Sequence, residues 1–186
     1  MRMSDSITPR EWMESTATLA VSSWGIWLFA FDHDPSATAS LRWGALAGAL
    51  LTLLLAGVTV RSLLQRGRAG PIIGAFLVGG VVFTPAVFGM MFMVAMAGFF
   101  LVGMTGVSES QGGFVIGLVL LGLFLAAGVV VMTALLSLAF GVVLGRIGPF
   151  RPFGVLALAR IQLLTLSAVV HAMVIANAFF DARLVL

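Results

Sequence analysis

The stretch "PIIGAFLVGGVVFTPAVFGMMFMVAMAGFFLVGM", from Pro71 to Met104, decides the class of fold to which this chain belongs. It holds 34 residues without a single charge, whereas a helix needs roughly 20 apolar residues to cross the hydrocarbon core of a bilayer. At about 1.5 Å per residue, a straight helix of this length would extend roughly 50 Å, well beyond a core of about 30 Å. We therefore expect a membrane helix that bends, breaks or protrudes.

The pair Thr84-Pro85 marks the expected position of the bend or break. Proline cannot donate a backbone hydrogen bond and kinks a helix, but it also suits the first position of a new helix that a threonine caps. The preceding pair Gly79-Gly80 loosens the chain. Two alternatives stay open: one Pro-kinked helix, or two pieces whose junction is covered by protein or water.

The composition of the whole chain also predicts a membrane protein. Of the 186 residues, 61% are hydrophobic and 9% are charged, which is too few charges for the surface of a soluble domain. The absence of cysteine excludes thiolate metal sites and cysteine nucleophiles. All ten basic residues are arginine, but the net charge is only +3 and no basic stripe occurs, so we expect no nucleic-acid binding. No signal-peptide cleavage pattern is evident, and we expect the mature chain to start near Met1.

Five stretches lack Asp, Glu and Arg: residues 15–31, 43–60, 69–108, 110–145 and 161–180. They define the expected helices, which we place near residues 9–31, 43–60, 71–104, 113–145 and 161–180. The first stretch is the least apolar and has an interfacial helix as its alternative, but Thr8-Pro9-Arg10-Glu11 matches a capping box that starts a helix at Pro9. Between the last two helices, the prolines after Arg146 predict a short segment that lies in the interface. The expected fold is a single all-α domain over residues 1–186, a polytopic helical bundle of about five transmembrane helices, or four if the first is interfacial.

The arginines predict the orientation, because short cytoplasmic loops carry an excess of basic residues. If the first helix crosses the membrane, eight of the ten arginines share one side; if it lies flat, the larger group falls to six. We therefore expect five crossings in the plasma or inner membrane, with the N-terminus in the cytoplasm and the C-terminus outside. The arginines expected to anchor the cytoplasmic interface are Arg61, Arg66, Arg68, Arg146, Arg151 and Arg160.

Small residues four positions apart predict close helix packing. The pairs that we expect to pack are Gly44/Gly48, Gly113/Gly117 and Gly141/Gly145. Each pair is weak evidence in a chain with 22 glycines.

His171 is the most informative polar residue, because it falls near the middle of the expected last helix. A haem ligand, a proton-handling group and the base of a serine hydrolase with Ser167 are three functional interpretations. Each lacks the partners it needs: a second intramembrane histidine, an acid at the same depth, or an oxyanion site. We favour a neutral His171 that hydrogen-bonds Ser167 or a neighbouring helix and fixes packing. Asn177, one turn before Asp181 near the end of the same helix, is expected to cap or pair near the outer interface.

Metal and cofactor sites are not expected. The methionines between Met90 and Met104 lack the Met-x-x-x-Met spacing of copper-transporting helices and suit packing instead. The adjacent residues Asp32, His33 and Asp34 suit a solvated loop.

These residues bear on three classes of function. The leading hypothesis is a non-enzymatic membrane subunit or scaffold that packs against other membrane subunits or against copies of itself. The alternative is a small transporter or channel component with a polar site formed by Thr84, Pro85, Ser167, His171 and Asn177. An intramembrane enzyme is disfavoured because paired acids, a metal cluster or an activated nucleophile are not evident.

Overall fold

A computed structural model describes residues 8–31, 38–65, 67, 69–104 and 111–180. Within these ranges, the side chains at 30–31, 38–41, 101–104, 111–121, 123–126 and 178–180 lie outside the described set. The described chain is helical and contains no strand. The elements in order are α1 (Pro9–Phe31), α2 (Thr38–Leu64), α3 (Ala69–Val78), a π-helix (Gly79–Phe83), α4 (Thr84–Met104), α5 (Gln111–Arg146), a 3-10 helix (Gly148–Phe153) and α6 (Val155–Phe180).

Four helices within the described residues are long and apolar enough to cross a membrane. They are Arg42–Leu64, Ala69–Phe100, Ala127–Arg146 and Val155–Asn177. α1 is not among them, which agrees with its lower apolar content in the sequence. An all-helical chain with four candidate membrane-spanning helices is therefore the observed fold class.

The predicted capping box forms at the start of α1. The Thr8 N–H donates to Glu11 Oε2 at 3.1 Å, and the Glu11 N–H donates in return to Thr8 Oγ1 at 3.2 Å. This reciprocal arrangement satisfies donors that a helix N-terminus otherwise leaves without partners. It places the start of α1 at Pro9, the residue that the sequence indicates.

The start of α6 differs from the prediction, because the helix begins at Val155 rather than near residue 161. Gly154 has a φ of 74°, a conformation that favours glycine, and it separates the 3-10 helix from α6. The expected interfacial segment is therefore reduced to Gly148–Phe153. This correction moves Arg160 from the beginning of the last helix into its second turn.

The long uncharged stretch is helical at every residue from Ala69 to Met104, so it has no gap at Pro85. Just before the proline, Gly79–Phe83 widens into a π-helix. There the N–H of Thr84 donates to the oxygen of Gly79, five residues earlier, and the Thr84 hydroxyl donates to the same oxygen at 2.9 Å. A wider turn accommodates a proline that cannot donate and whose ring crowds the preceding turn. Of the two predicted alternatives, the structure shows the continuous, distorted helix.

The chain divides into two compact units, residues 1–84 with 137–186 and residues 85–136. In the first unit α6 is the central helix, since 72% of its candidate span is buried, against 22% for α2. The apolar core at the beginning of α6 consists of Leu63, Ile72, Ala75, Leu144, Phe153, Ala157, Leu158 and Ile161.

The directions of α1 and α2 relative to α6 follow from their contacts. On α1, Glu14 meets Arg160 and Gly25 meets His171, so residue numbers rise together along the two helices and α1 is parallel to α6. On α2, Gly48 meets His171 and Thr52 meets Ser167, so the numbers run in opposite senses and α2 is antiparallel to α6.

The second unit contains α4 from Pro85 onward and α5 up to Leu136. Gly128 of α5 faces Val94 of α4, and a Cβ added to Gly128 would lie 3.4 Å from Val94 Cγ1. Met93 and Met96 face outward, whereas Met90 is half-buried. The methionines thus occupy both the surface and the partly covered side of α4.

Gly79 of the π-helix lies against α6. A Cβ at this position would be 2.6 Å from Thr165 Oγ1, whereas a Cβ at the next residue, Gly80, would be 3.6 Å from Thr165 Cγ2, an ordinary contact. The absence of a side chain at Gly79 therefore allows the two helices to approach.

This difference gives a matched pair of variants. We expect Gly79→Ala to lower the free energy of unfolding by about 1–3 kcal/mol, because the added methyl group overpacks the contact with Thr165. Gly80→Ala should leave the free energy unchanged or raise it, since alanine favours a helix over glycine. Unfolding of the detergent-solubilised protein by sodium dodecyl sulfate, followed by circular dichroism, measures both, and equal effects would contradict the contact.

Candidate functional site

A row of polar side chains runs along the buried face of α6 and continues onto α1 and α2. We define this row, the polar seam, as Ser22 of α1, Thr52 of α2, and Ser167 and His171 of α6; each is at most 3% exposed. Ser167 and His171 are four residues apart, so they lie on one side of the helix. In an apolar interior each of these groups needs a hydrogen-bond partner.

Hydrogen bonds connect the α2 and α6 members of the seam. His171 Nδ1 lies 2.7 Å from the Ser167 carbonyl oxygen, and because a carbonyl only accepts, Nδ1 carries the proton. The Ser167 hydroxyl lies 2.7 Å from Thr52 Oγ1, which in turn donates to the Gly48 oxygen at 2.7 Å. With Ser167 donating to Thr52, every hydroxyl proton in this chain of bonds has an acceptor.

The imidazole ring of His171 fills a space that two glycines leave open. A Cβ on Gly25 of α1 would lie 2.7 Å from His171 Cε1, and a Cβ on Gly48 of α2 would overlap Nε2. Nε2 has no hydrogen-bond partner among the described atoms. Because the Gly48 backbone occupies the space next to Nε2, this geometry does not support the haem-ligand interpretation.

Ser22 connects α1 to α6 in the same region. Its hydroxyl lies 2.9 Å from the Leu163 oxygen of α6 and 2.8 Å from the Thr18 oxygen of its own helix. The side chains of Thr18 and Ser22 are both buried. Two of the polar residues that make α1 the least apolar of the expected helices therefore face the bundle, whereas Thr16 is exposed.

An ion pair between buried Arg160 and half-buried Glu14 joins the second turns of α6 and α1. Arg160 is only 2% exposed, and its Nη1 contacts Glu14 Oε2. The other carboxylate oxygen of Glu14 accepts from Arg10 Nε at 2.8 Å, so Glu14 lies between two arginines. The sequence predicts Arg160 as an exposed interface anchor; the structure instead buries it against α1, because the earlier start of α6 places it on the helix face shared with Ser167 and His171.

A groove of about 530 Å³ opens between the start of α1 and the end of α2, beside this ion pair. The side chains that line it are Thr8, Arg10, Glu11, Glu14, Val58, Arg61, Ser62 and Gln65. Arg61 is exposed and forms no hydrogen bond or ion pair with any described residue. Among the residues described, no group of three or more His, Asp and Glu side chains is placed to hold a metal ion.

The remaining predicted residues fall in several places. Thr84 bonds within its own turn, and Asn177 is half-buried near the end of α6. Gly44 contacts Leu28 of α1, while Gly141 and Gly145 face the first turn of α6 at Val155 and Leu158. Arg146 and Arg151 are exposed. Arg66 and Arg68, which the sequence predicts as interface anchors, lie outside the described residues, as do the surroundings of Gly113 and Gly117.

Sequence reasoning finds half of the site. It identifies Ser167, His171 and Gly48 but not Glu14, Ser22 or Thr52. A usable signal exists on α1, where Glu14, Thr18, Ser22 and Gly25 recur every three to four residues and so share one face. Comparison with known protein families, curated proteins and solved structures gives no match, so function has to be inferred from the chain itself.

Gly48 provides the test of the His171 packing. We expect Gly48→Ala to lower the free energy of unfolding by about 1–3 kcal/mol, since its Cβ would overlap the imidazole ring. Gly57→Ala, on the same helix, is the matched control because a Cβ there meets nothing within 4 Å. Thermal unfolding of both variants in the same detergent measures the difference, and a Gly48→Ala protein as stable as the control would show that the ring does not occupy this space.

Proposed function

We propose that this chain is a non-enzymatic multi-pass membrane protein that acts as a subunit or scaffold in a membrane assembly. The observation that carries the proposal is the polar seam, whose four polar side chains are engaged by hydrogen bonds and helix contacts inside the bundle. Ser22, Thr52 and Ser167 each bond to a neighbouring helix, and His171 is wedged between two glycines. Side chains used in this way hold helices together rather than meet a substrate.

The packing of α1 supports five crossings rather than four. α1 runs parallel to α6 from Glu14 to Gly25, a length of roughly 16 Å at about 1.5 Å per residue, which is hard to reconcile with a helix lying flat in the interface. Arg10 and Arg61 also line the same groove, so they belong on the same side of the membrane, as the eight-to-two distribution of arginines requires. By the positive-inside rule that side is the cytoplasm of a cell or inner membrane.

Large apolar side chains on the outer faces of the helices provide the surface for lipid and for partner subunits. Many of them are more than half exposed within the isolated chain, among them Leu53, Leu54, Ile73, Leu77, Val81 and Val143. Because the polar groups point inward and the apolar groups outward, association with partners would rely on shape and small residues.

A transport role is the second candidate, and one observation favours it. Gln162 of α6 is fully buried near Gly79 of the π-helix. Its Nε2 donates to the oxygen of Ala75 in α3 at 3.2 Å. Its Oε1 has no partner among the described atoms. Distorted helices and buried oxygens at membrane depth are features of transporter binding sites.

Native mass spectrometry of a tagged chain, extracted from its own membrane in mild detergent, tests the proposal. We expect a mass that corresponds to a fixed stoichiometry with other membrane proteins or with further copies of the chain. A tagged, unrelated helical membrane protein prepared in parallel controls for adventitious capture. A monomer without partners would contradict the scaffold role, and comparison of wild type with Gln162→Leu in a transport assay would then test the second candidate.

A further inference from the structure

The groove between α1 and α2 carries chemical groups that recognise phosphate. Arg10 enters from the first turn of α1 and Arg61 from the last turn of α2, so guanidinium groups line it from both helices. The hydroxyl of Ser62 and the amide of Gln65 add hydrogen-bond donors. Arginine is suited to this task because its planar donors match the geometry of phosphate oxygens.

The two glutamates in the groove are already engaged by the protein. Glu14 lies between Arg10 and the buried Arg160, and Glu11 accepts from the Thr8 N–H in the capping box. The groove and the adjoining ion pair together contain three arginines, counting Arg160, and two glutamates, so the net charge of the region is +1. Arg61 is the arginine without an acceptor among the described residues, so it is the one available to an incoming anion.

The position of the groove along α2 indicates the source of the phosphate. The candidate span of α2 ends at Leu64, so Arg61 and Gln65 fall at the depth of the lipid headgroups when this helix crosses a bilayer. Val58, one turn deeper, adds an exposed apolar side chain to the lining. Its volume of about 530 Å³ falls within the roughly 300–1,000 Å³ of ordinary ligand pockets.

We propose that this groove binds the phosphodiester of a phospholipid headgroup, with Arg61 as the principal contact and Arg10 as the second. Bound lipid would bridge the start of α1 and the end of α2 on the side that carries most of the arginines. The assignment rests on the membrane placement proposed above, and it adds a ligand that the scaffold role does not require.

Binding of dihexanoylphosphatidylglycerol to the purified protein tests this site. We expect Arg61→Gln to weaken binding by at least about tenfold, because removal of one charge-assisted interaction with phosphate costs roughly 1.5–3 kcal/mol and 1.4 kcal/mol corresponds to a factor of ten. Arg146→Gln is the matched control, since Arg146 is an exposed arginine in the last turn of another helix and does not line the groove. Arg10 is left unchanged because it also holds Glu14.

Three further results decide the proposal. If wild type and Arg61→Gln bind the lipid with equal affinity, the groove is not the lipid site. The scaffold role would still hold in that case if native mass spectrometry shows partner proteins bound to the chain. Inorganic phosphate that binds as tightly as the lipid, with the same dependence on Arg61, would overturn the lipid as the source in favour of a soluble phosphate. If sodium carbonate extracts the protein from membranes, the protein does not span the bilayer, and both the membrane placement and this proposal are wrong.

Discussion

The ion pair between half-buried Glu14 and buried Arg160 fixes the arrangement of α1 on α6. Removal of a guanidinium from water costs several kcal/mol, and in an apolar bundle only an opposite charge with good geometry offsets that cost. Because Arg160 is 2% exposed, α1 has to place a carboxylate at one particular height on α6. Loss of Glu14 would leave the charge of Arg160 buried without a partner, so the pair specifies register more than it adds stability.

The polar seam extends that register along the helices. From Glu14 to Gly25 and from Arg160 to His171 the separation is eleven residues in both helices, and contacts between α1 and α6 occur at both ends of this interval. Between them, Ser22 donates to the Leu163 oxygen. α2 completes the arrangement from the other side through Gly48 and Thr52. A histidine in the middle of a long apolar helix is thus explained by helix packing, with its ring enclosed by the glycines of two neighbouring helices.

Local sequence signals predict the local structure well. The capping box locates the start of α1, and the four-residue spacing of Ser167 and His171 predicts that they interact, since both features involve residues within one or two turns of each other. The sequence does not predict features that depend on a partner helix. Arg160, for example, is predicted as a surface anchor because only the fold shows that Glu14 lies opposite it. Likewise, proline and glycine at 79–85 predict a distortion, but only the hydrogen bond from Thr84 to Gly79 distinguishes a π-helix from a break.

We propose that α1 crosses the membrane alongside α6, with its N-terminus at the same end of the bundle as the end of α2. The chain has no cysteine, so single cysteines introduced as Arg10→Cys, Arg42→Cys and Gln65→Cys each report their own side of the membrane to an impermeant maleimide. The account predicts that Arg10→Cys and Gln65→Cys are labelled from one side and Arg42→Cys from the other. Labelling of Arg10→Cys and Arg42→Cys from the same side, opposite to Gln65→Cys, would contradict it.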